Sequence, residues 1–168
     1  MEKNRTPILI FYAACALTAI LCSLPDFGAQ NIGYTIIFFL LIVVYIARAR
    51  WPKENSFEEN HSTYIIRTIW IYSALASFGI VGAGMIIGQN ANPDALAPML
   101  DAMGTGIEPS DAEAKSWMLQ YYADNADLIE RTARIWLFPA QIYLVYRTAR
   151  GAVRAYKNYR ISKPKSWF

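Results

Sequence analysis

At 168 residues, with 55% apolar and 17% charged residues and a net charge of +3, the chain is long enough for one domain but too apolar and aromatic for an ordinary soluble protein. Its single histidine excludes most metal-centred and acid–base chemistry, and the charges sit in blocks between long uncharged stretches. That clustering predicts an all-α membrane protein forming a single integral domain over 1–168, with four transmembrane helices and an extracytoplasmic helical insertion between the third and the fourth.

The first stretch, residues 7–24, follows Lys3 and Arg5 as a signal peptide's apolar core would. However, "CSLPDFGAQ" offers no small-x-small cleavage site and bulky Leu21 precedes Cys22, so an uncleaved helix is expected. Cys15 and Cys22 lie two helical turns apart, about 10 Å along the axis, too far for a disulfide between them. Buried apolar thiols are expected instead.

The second and third stretches, 31–47 and 67–88, each approach the roughly 20 residues that cross a bilayer as a helix. Between them, Glu58 and His61 in "EENHS" have the spacing of carboxylate di-iron sites. Such a site wants a second copy and further carboxylates, so an interfacial polar loop is expected and no metal or cofactor is assigned. Arg67 stands just inside the cytoplasmic interface, beside Trp70. Its head snorkels to lipid phosphates, pairs with Glu58 or Glu59, or turns inward to a functional partner. In "GIVGAGMIIG" the glycines superficially resemble a nucleotide loop but follow no strand. Gly84 and Gly88, four residues apart, instead predict close approach of another helix, within the bundle or from a partner.

The outer segment, 92–130, carries its own helix signals. Asn92 as N-cap, Pro93 at the first position and Gly104 as terminator predict a short helix. Ser110 with Glu113 then forms a capping box opening one longer helix towards residue 133. On it Ala114, Trp117, Met118, Tyr121, Leu128 and Ile129 approximate an apolar stripe in need of a cover: lipid headgroups, the ends of the spanning helices or another protein. The fourth span, 133–149, is short and interrupted by Pro139 and Gln141, so it crosses only if its flanking arginines reach the interfaces. A basic tail, 150–168, continues helically to near Pro164, with Arg147, Arg150, Arg154 and Lys157 near one face. Contact with anionic lipid at the cytoplasmic face, not nucleic acid, is expected of them.

Charge asymmetry sets the topology. Between Gln89 and Glu130 there are eight acids and one base, Lys115, whereas the last 22 residues hold seven bases and no acid. Both termini and the loop around Pro52 are therefore expected in the cytoplasm. An even number of crossings follows.

"IRTIWI", residues 66–71, and the closing Pro164, Ser166, Trp167 and Phe168 resemble motifs of a family of small, uncharacterised bacterial inner-membrane proteins with an IRTFWI-like helix start and a Pro-x-Ser/Thr-Trp-Leu-Phe tail. Ile69 stands where an aromatic is usual, and the tail is one apolar residue short. The resemblance spans about Thr35 to Ser77 and the C-terminal part, and leaves out the acidic segment. It implies fold and a bacterial inner-membrane location, and brings no catalytic residue. The expected role is thus non-catalytic: an accessory or scaffold subunit bound to a larger membrane protein, or alternatively a small homo-oligomeric channel or carrier. Candidate functional or partner-contact residues are His61, Arg67, Trp70, Gly84, Gly88, Trp117, Tyr121, Trp167 and Phe168.

Overall fold

A computed structural model describes residues 5–24, 26–51, 56–106 and 108–165. Among them every regular element is helical, in the order α1 (Arg5–Ser23), α2 (Phe27–Arg50), α3 (Phe57–Asn90), a 3₁₀ turn (Asp94–Leu96), α4 (Ala97–Thr105), α5 (Asp111–Asp124) and α6 (Ala126–Tyr156). Three of these, α1, α2 and α3, are long and apolar enough to cross a membrane. Large apolar side chains such as Ile20, Phe38, Phe39 and Phe78 lie exposed on them, as hydrocarbon solvent permits and water penalises. Two compact units are present: Met1–Ser77 with Phe138–Phe168, and Phe78–Leu137.

In the first unit, α1 and α2 form a tight hairpin. Asp26 caps α2 by accepting from the Ala29 N–H at 2.6 Å, and the Gln30 amide donates to the Leu24 carbonyl at 2.9 Å. The helices then approach closely enough that a Cβ on Gly33 would sit 2.6 Å from Cys22 Sγ. Both cysteines are buried and free, as expected from their spacing.

Helix α3 begins ten residues before the expected start. Ser56 supplies the cap: its hydroxyl accepts from the Glu59 N–H at 3.0 Å, and Glu58 and Glu59 occupy the first turn, where carboxylates favour the helix dipole. The expected polar loop around His61 is therefore helix instead. Helix α6 likewise exceeds the expected fourth span at both ends and carries Pro139 inside it. It stops at Tyr156, short of Pro164, because Asn158 takes a left-handed conformation (φ 57°). The Tyr159 N–H then reaches the Arg154 carbonyl at 2.8 Å and the Asn158 N–H the Ala155 carbonyl at 3.0 Å, the two bonds of a Schellman stop.

In the second unit, Asn92 does start the helical segment, its Oδ1 accepting from the Asp94 N–H at 3.0 Å. Pro98 has no N–H to donate back to Asp94, so a 3₁₀ turn precedes α4. Termination comes at Gly106 in the left-handed region (φ 70°) and not at Gly104. The single long helix expected after Ser110 is broken at Asn125. Its carboxamide is committed to the main chain of Asn92, accepting from that N–H at 2.8 Å and donating to that carbonyl at 3.0 Å. The same amide also donates to the Tyr121 carbonyl at 2.9 Å, so the side chain shares an α5 carbonyl with its own backbone N–H at the point where α5 gives way to α6.

The Ser110–Glu113 capping box forms as expected, with Ser110 Oγ accepting from the Glu113 N–H and Glu113 Oε2 accepting from the Ser110 N–H at 3.0 Å. The Ser110 hydroxyl, then its N–H, hold the Glu113 carboxyl below the ordinary carboxylate value. A depressed folded value means the cap's contribution is complete above the unfolded carboxylate range and is lost as pH falls through the folded one. Hydrogen exchange at the first turn of α5, corrected for intrinsic rates, is expected to show fraying on acidification below about pH 4, with Glu113→Gln showing little such change. A pH response equal in both proteins would refute the box as its cause.

Candidate functional site

The polar side chains of the first unit collect in a seam between α1, α3, α6 and the segment after α6. His61 lies at its centre, fully buried at 0% exposure. Its Nε2 is 3.0 Å from the Tyr159 carbonyl oxygen and its Nδ1 is 2.9 Å from the Tyr12 hydroxyl. A carbonyl only accepts, so Nε2 carries the proton. Nδ1 of the neutral ring is then the acceptor, and Tyr12 donates. Both nitrogens are thereby committed, and the Phe57 ring packs on the imidazole at 4.5 Å between centroids. The Glu58-x-x-His61 spacing consequently presents no open metal ligand at His61. Among the described residues, no group of three or more His, Cys, Asp or Glu is placed to hold a metal ion.

Asn60, next to His61, and Tyr64, about one turn on, extend the seam in two directions. Asn60 Oδ1 accepts from the Ile161 N–H at 2.7 Å and its Nδ2 donates to the Ile161 carbonyl at 3.0 Å, fastening the segment after α6 onto α3. This repeats the clamp that Asn125 makes on Asn92 in the second unit. Tyr64 donates its hydroxyl to the Arg147 carbonyl at 3.2 Å, while its ring lies under the Arg147 guanidinium, 3.8 Å from centroid to Cζ. Arg147 Nε also donates to Thr68 Oγ1 at 3.2 Å.

Arg147 is 0% exposed, so its expected contact with anionic lipid is corrected. The physical reason is register. Tyr143, Leu144, Thr148, Gly151 and Ala155, all buried, lie on the face of α6 that meets α1 and α3, and Arg147 belongs to that face. Arg150 and Arg154 are half-buried and Lys157 is exposed. Arg154 Nη1 donates to the Arg160 carbonyl at 3.0 Å, and Arg150 Nη1 lies 3.4 Å from the Tyr146 hydroxyl.

Arg67 lies on a different face of α3. It lines a cavity of about 540 Å³ together with Arg48, Lys165, Thr63, Tyr45 and Trp70. Glu59, one of the carboxylates considered for Arg67, is 3.7 Å from Arg48. Trp70 Nε1 donates to the Tyr45 hydroxyl at 3.1 Å, forming an aromatic wall. Arg67 and Trp70 are thus brought together, and His61 is not on this cavity's lining.

In the second unit, close helix approach occurs at Gly79 and Gly82, where an added Cβ would meet the Trp136 carbonyl at 2.7 Å and the Trp136 ring at 2.5 Å. Gly84 and Gly88 have nothing within 4 Å of such a Cβ. Trp117 and Tyr121 share the half-buried face of α5 with Ala114, as the stripe predicts, while Met118 is exposed. Trp167 and Phe168 lie outside the described residues.

Sequence reasoning missed Tyr12, Asn60, Tyr64, Thr68 and Asn125. Tyr64 and Thr68 are four apart on one helix face, a spacing available in the sequence; which residues they meet is a tertiary fact. Compared with known proteins, the chain matches no family model, no curated protein and no solved structure.

Proposed function

We propose that the chain is a four-pass bacterial inner-membrane protein with both termini cytoplasmic, acting as a non-catalytic accessory or scaffold subunit of a larger membrane complex. Three helices with the apolar length to span support the membrane placement, and α6, at 31 residues, has the length for a fourth crossing. The acid-rich segment between α3 and α6 and the basic segments elsewhere supply the orientation. The seam described above favours a structural role, since its one imidazole has both nitrogens engaged by neighbours that fix the fold.

The observation that carries the accessory reading is the surface of the two short helices. Met103 in α4 is 67% exposed and Leu119 in α5 is 60% exposed, with Leu100 and Tyr122 also exposed. Neither helix is long enough to span, so hydrocarbon does not cover these side chains as it covers those of α1 and α2. The acidic residues around them disfavour an anionic lipid surface. A protein partner is the cover that remains.

Solubilisation in a gentle detergent at native expression level, followed by mass spectrometry of the native-size species, tests this. A stoichiometric larger partner is expected, and Met103→Glu with Leu119→Glu is expected to release it. A lone homo-oligomer indifferent to those substitutions would overturn the accessory role. That outcome would move the reading to a small channel or carrier, whose supporting observation is the Arg67-lined cavity.

A further inference from the structure

The cavity lined by Arg48, Arg67 and Lys165 assigns a ligand class of its own, independent of the accessory role. These three cations come from separate parts of the chain: the end of α2, the body of α3 and the segment after α6. No carboxylate is on that lining among the described residues. A concavity lined by three cations favours an anionic ligand through charge complementarity.

The convergence is built rather than incidental. Lys165 is carried to the cavity by a segment that the Asn60 carboxamide clamps at Ile161 and that His61 holds at the Tyr159 carbonyl. Arg48 is steadied by Glu59 at 3.7 Å, which orients it without removing the excess of positive charge. The buried seam and the cavity are therefore one device: the first positions the segment that completes the second.

The remaining lining narrows the ligand. Two arginines match a phosphate better than a single carboxylate, because planar guanidinium groups offer paired donors to tetrahedral phosphate oxygens. Thr63 and Tyr45 bring hydroxyls able to bond the hydroxyls of a small polyol, and Trp70 and Tyr45 supply an aromatic wall of the kind that seats at headgroup level. The concavity is open on one side and, at about 540 Å³, has room for an ester larger than phosphate alone. We propose that this cavity binds a phosphate ester of a small polyol, such as a glycerophosphate group, presented by an anionic lipid headgroup or by a soluble metabolite of the same chemistry.

The full chain purified in a neutral maltoside detergent tests the proposal through three probes: phosphatidylglycerol, phosphatidylcholine and soluble glycerol 3-phosphate. Native mass spectrometry reads lipid retention and calorimetric titration reads the soluble ester. Phosphatidylglycerol is expected to be retained over phosphatidylcholine, and Arg67→Gln and Lys165→Gln are each expected to reduce retention roughly tenfold or more. Lys115→Gln, a change of equal charge on exposed α5, is expected to leave it unchanged. Because Lys165 is exposed, its substitution keeps the fold and guards against a trivial loss at Arg67. Binding of glycerol 3-phosphate as well would identify a soluble ester as a sufficient ligand, whereas binding of phosphatidylglycerol alone would identify a lipid headgroup. Equal retention by the wild type and both cavity variants, or no preference over phosphatidylcholine, would overturn the site.

Discussion

Arg147→Ala is expected to destabilise the protein by about 3–5 kcal/mol, the range for truncating a large buried side chain that also carries a partnered charge. The side chain is wholly buried, stacks on the Tyr64 ring at 3.8 Å and donates to Thr68 Oγ1 at 3.2 Å. A desolvated cation–π contact is worth about 2 kcal/mol and a net hydrogen bond about 1, so the cavity left by the side chain accounts for the remainder. Arg147→Lys keeps the charge but not the planar stack or the Nε donor, and is expected to fall between the two. Arg150→Ala, three residues on at a half-buried position, is expected to stay within about 0.5 kcal/mol. Denaturant titration of the three variants in one detergent measures the comparison. Similar small losses at 147 and 150 would return Arg147 to the lipid-facing row and remove it from the core.

That row shows where sequence reasoning stopped. Arg147, Arg150, Arg154 and Lys157 recur at intervals of three and four, which correctly places them near one side of a helix but does not say which way that side turns. The answer lay in the residues between: Ala140, Tyr143, Leu144, Thr148, Gly151 and Ala155 form a small and apolar stripe at the same period, and all are buried. A permanent charge on a packing stripe is rare enough that charge overrode pattern. The spanning lengths of α1 and α2, the Ser110–Glu113 box and the α5 stripe were legible because each depends on local chemistry. The ends of α3 and α6 were less so. Ser56 capping is hidden among charges that read locally as a loop, and the stop at Asn158 requires a left-handed asparagine that no local pattern demands. Asn60 and Asn125 were illegible for a different reason: their partners, Ile161 and Asn92, are 101 and 33 residues away in sequence. The Arg67 cavity was half legible. The sequence marks the misplaced charge, but Arg48 and Lys165 join it only through the fold.

Gly151→Ala tests the same packing one turn further along α6, where it meets α1. A Cβ at this position would overlap the Tyr12 ring, including its hydroxyl-bearing carbon. Tyr12 cannot retreat freely, because its hydroxyl donates to His61 Nδ1 at 2.9 Å and His61 in turn holds Tyr159. Nor can α6 move away without lifting Arg147, one turn earlier, from the Tyr64 ring. Overpacking of a close core contact is expected to cost about 2–3 kcal/mol here. Gly84→Ala is the matched control: it is also within a helix, an added Cβ there meets nothing within 4 Å, and the relief of glycine's backbone entropy is expected to gain up to about 1 kcal/mol. A double-mutant cycle separates sterics from propensity. With Tyr12→Ala as background the ring is gone, so the Gly151→Ala penalty should shrink or reverse, whereas Tyr12→Phe keeps the ring and most of the penalty. If Gly151→Ala instead behaves like Gly84→Ala in every background, α1 and α6 do not meet at this point. The His61 seam would then lose the contact that aligns its Tyr12 donor.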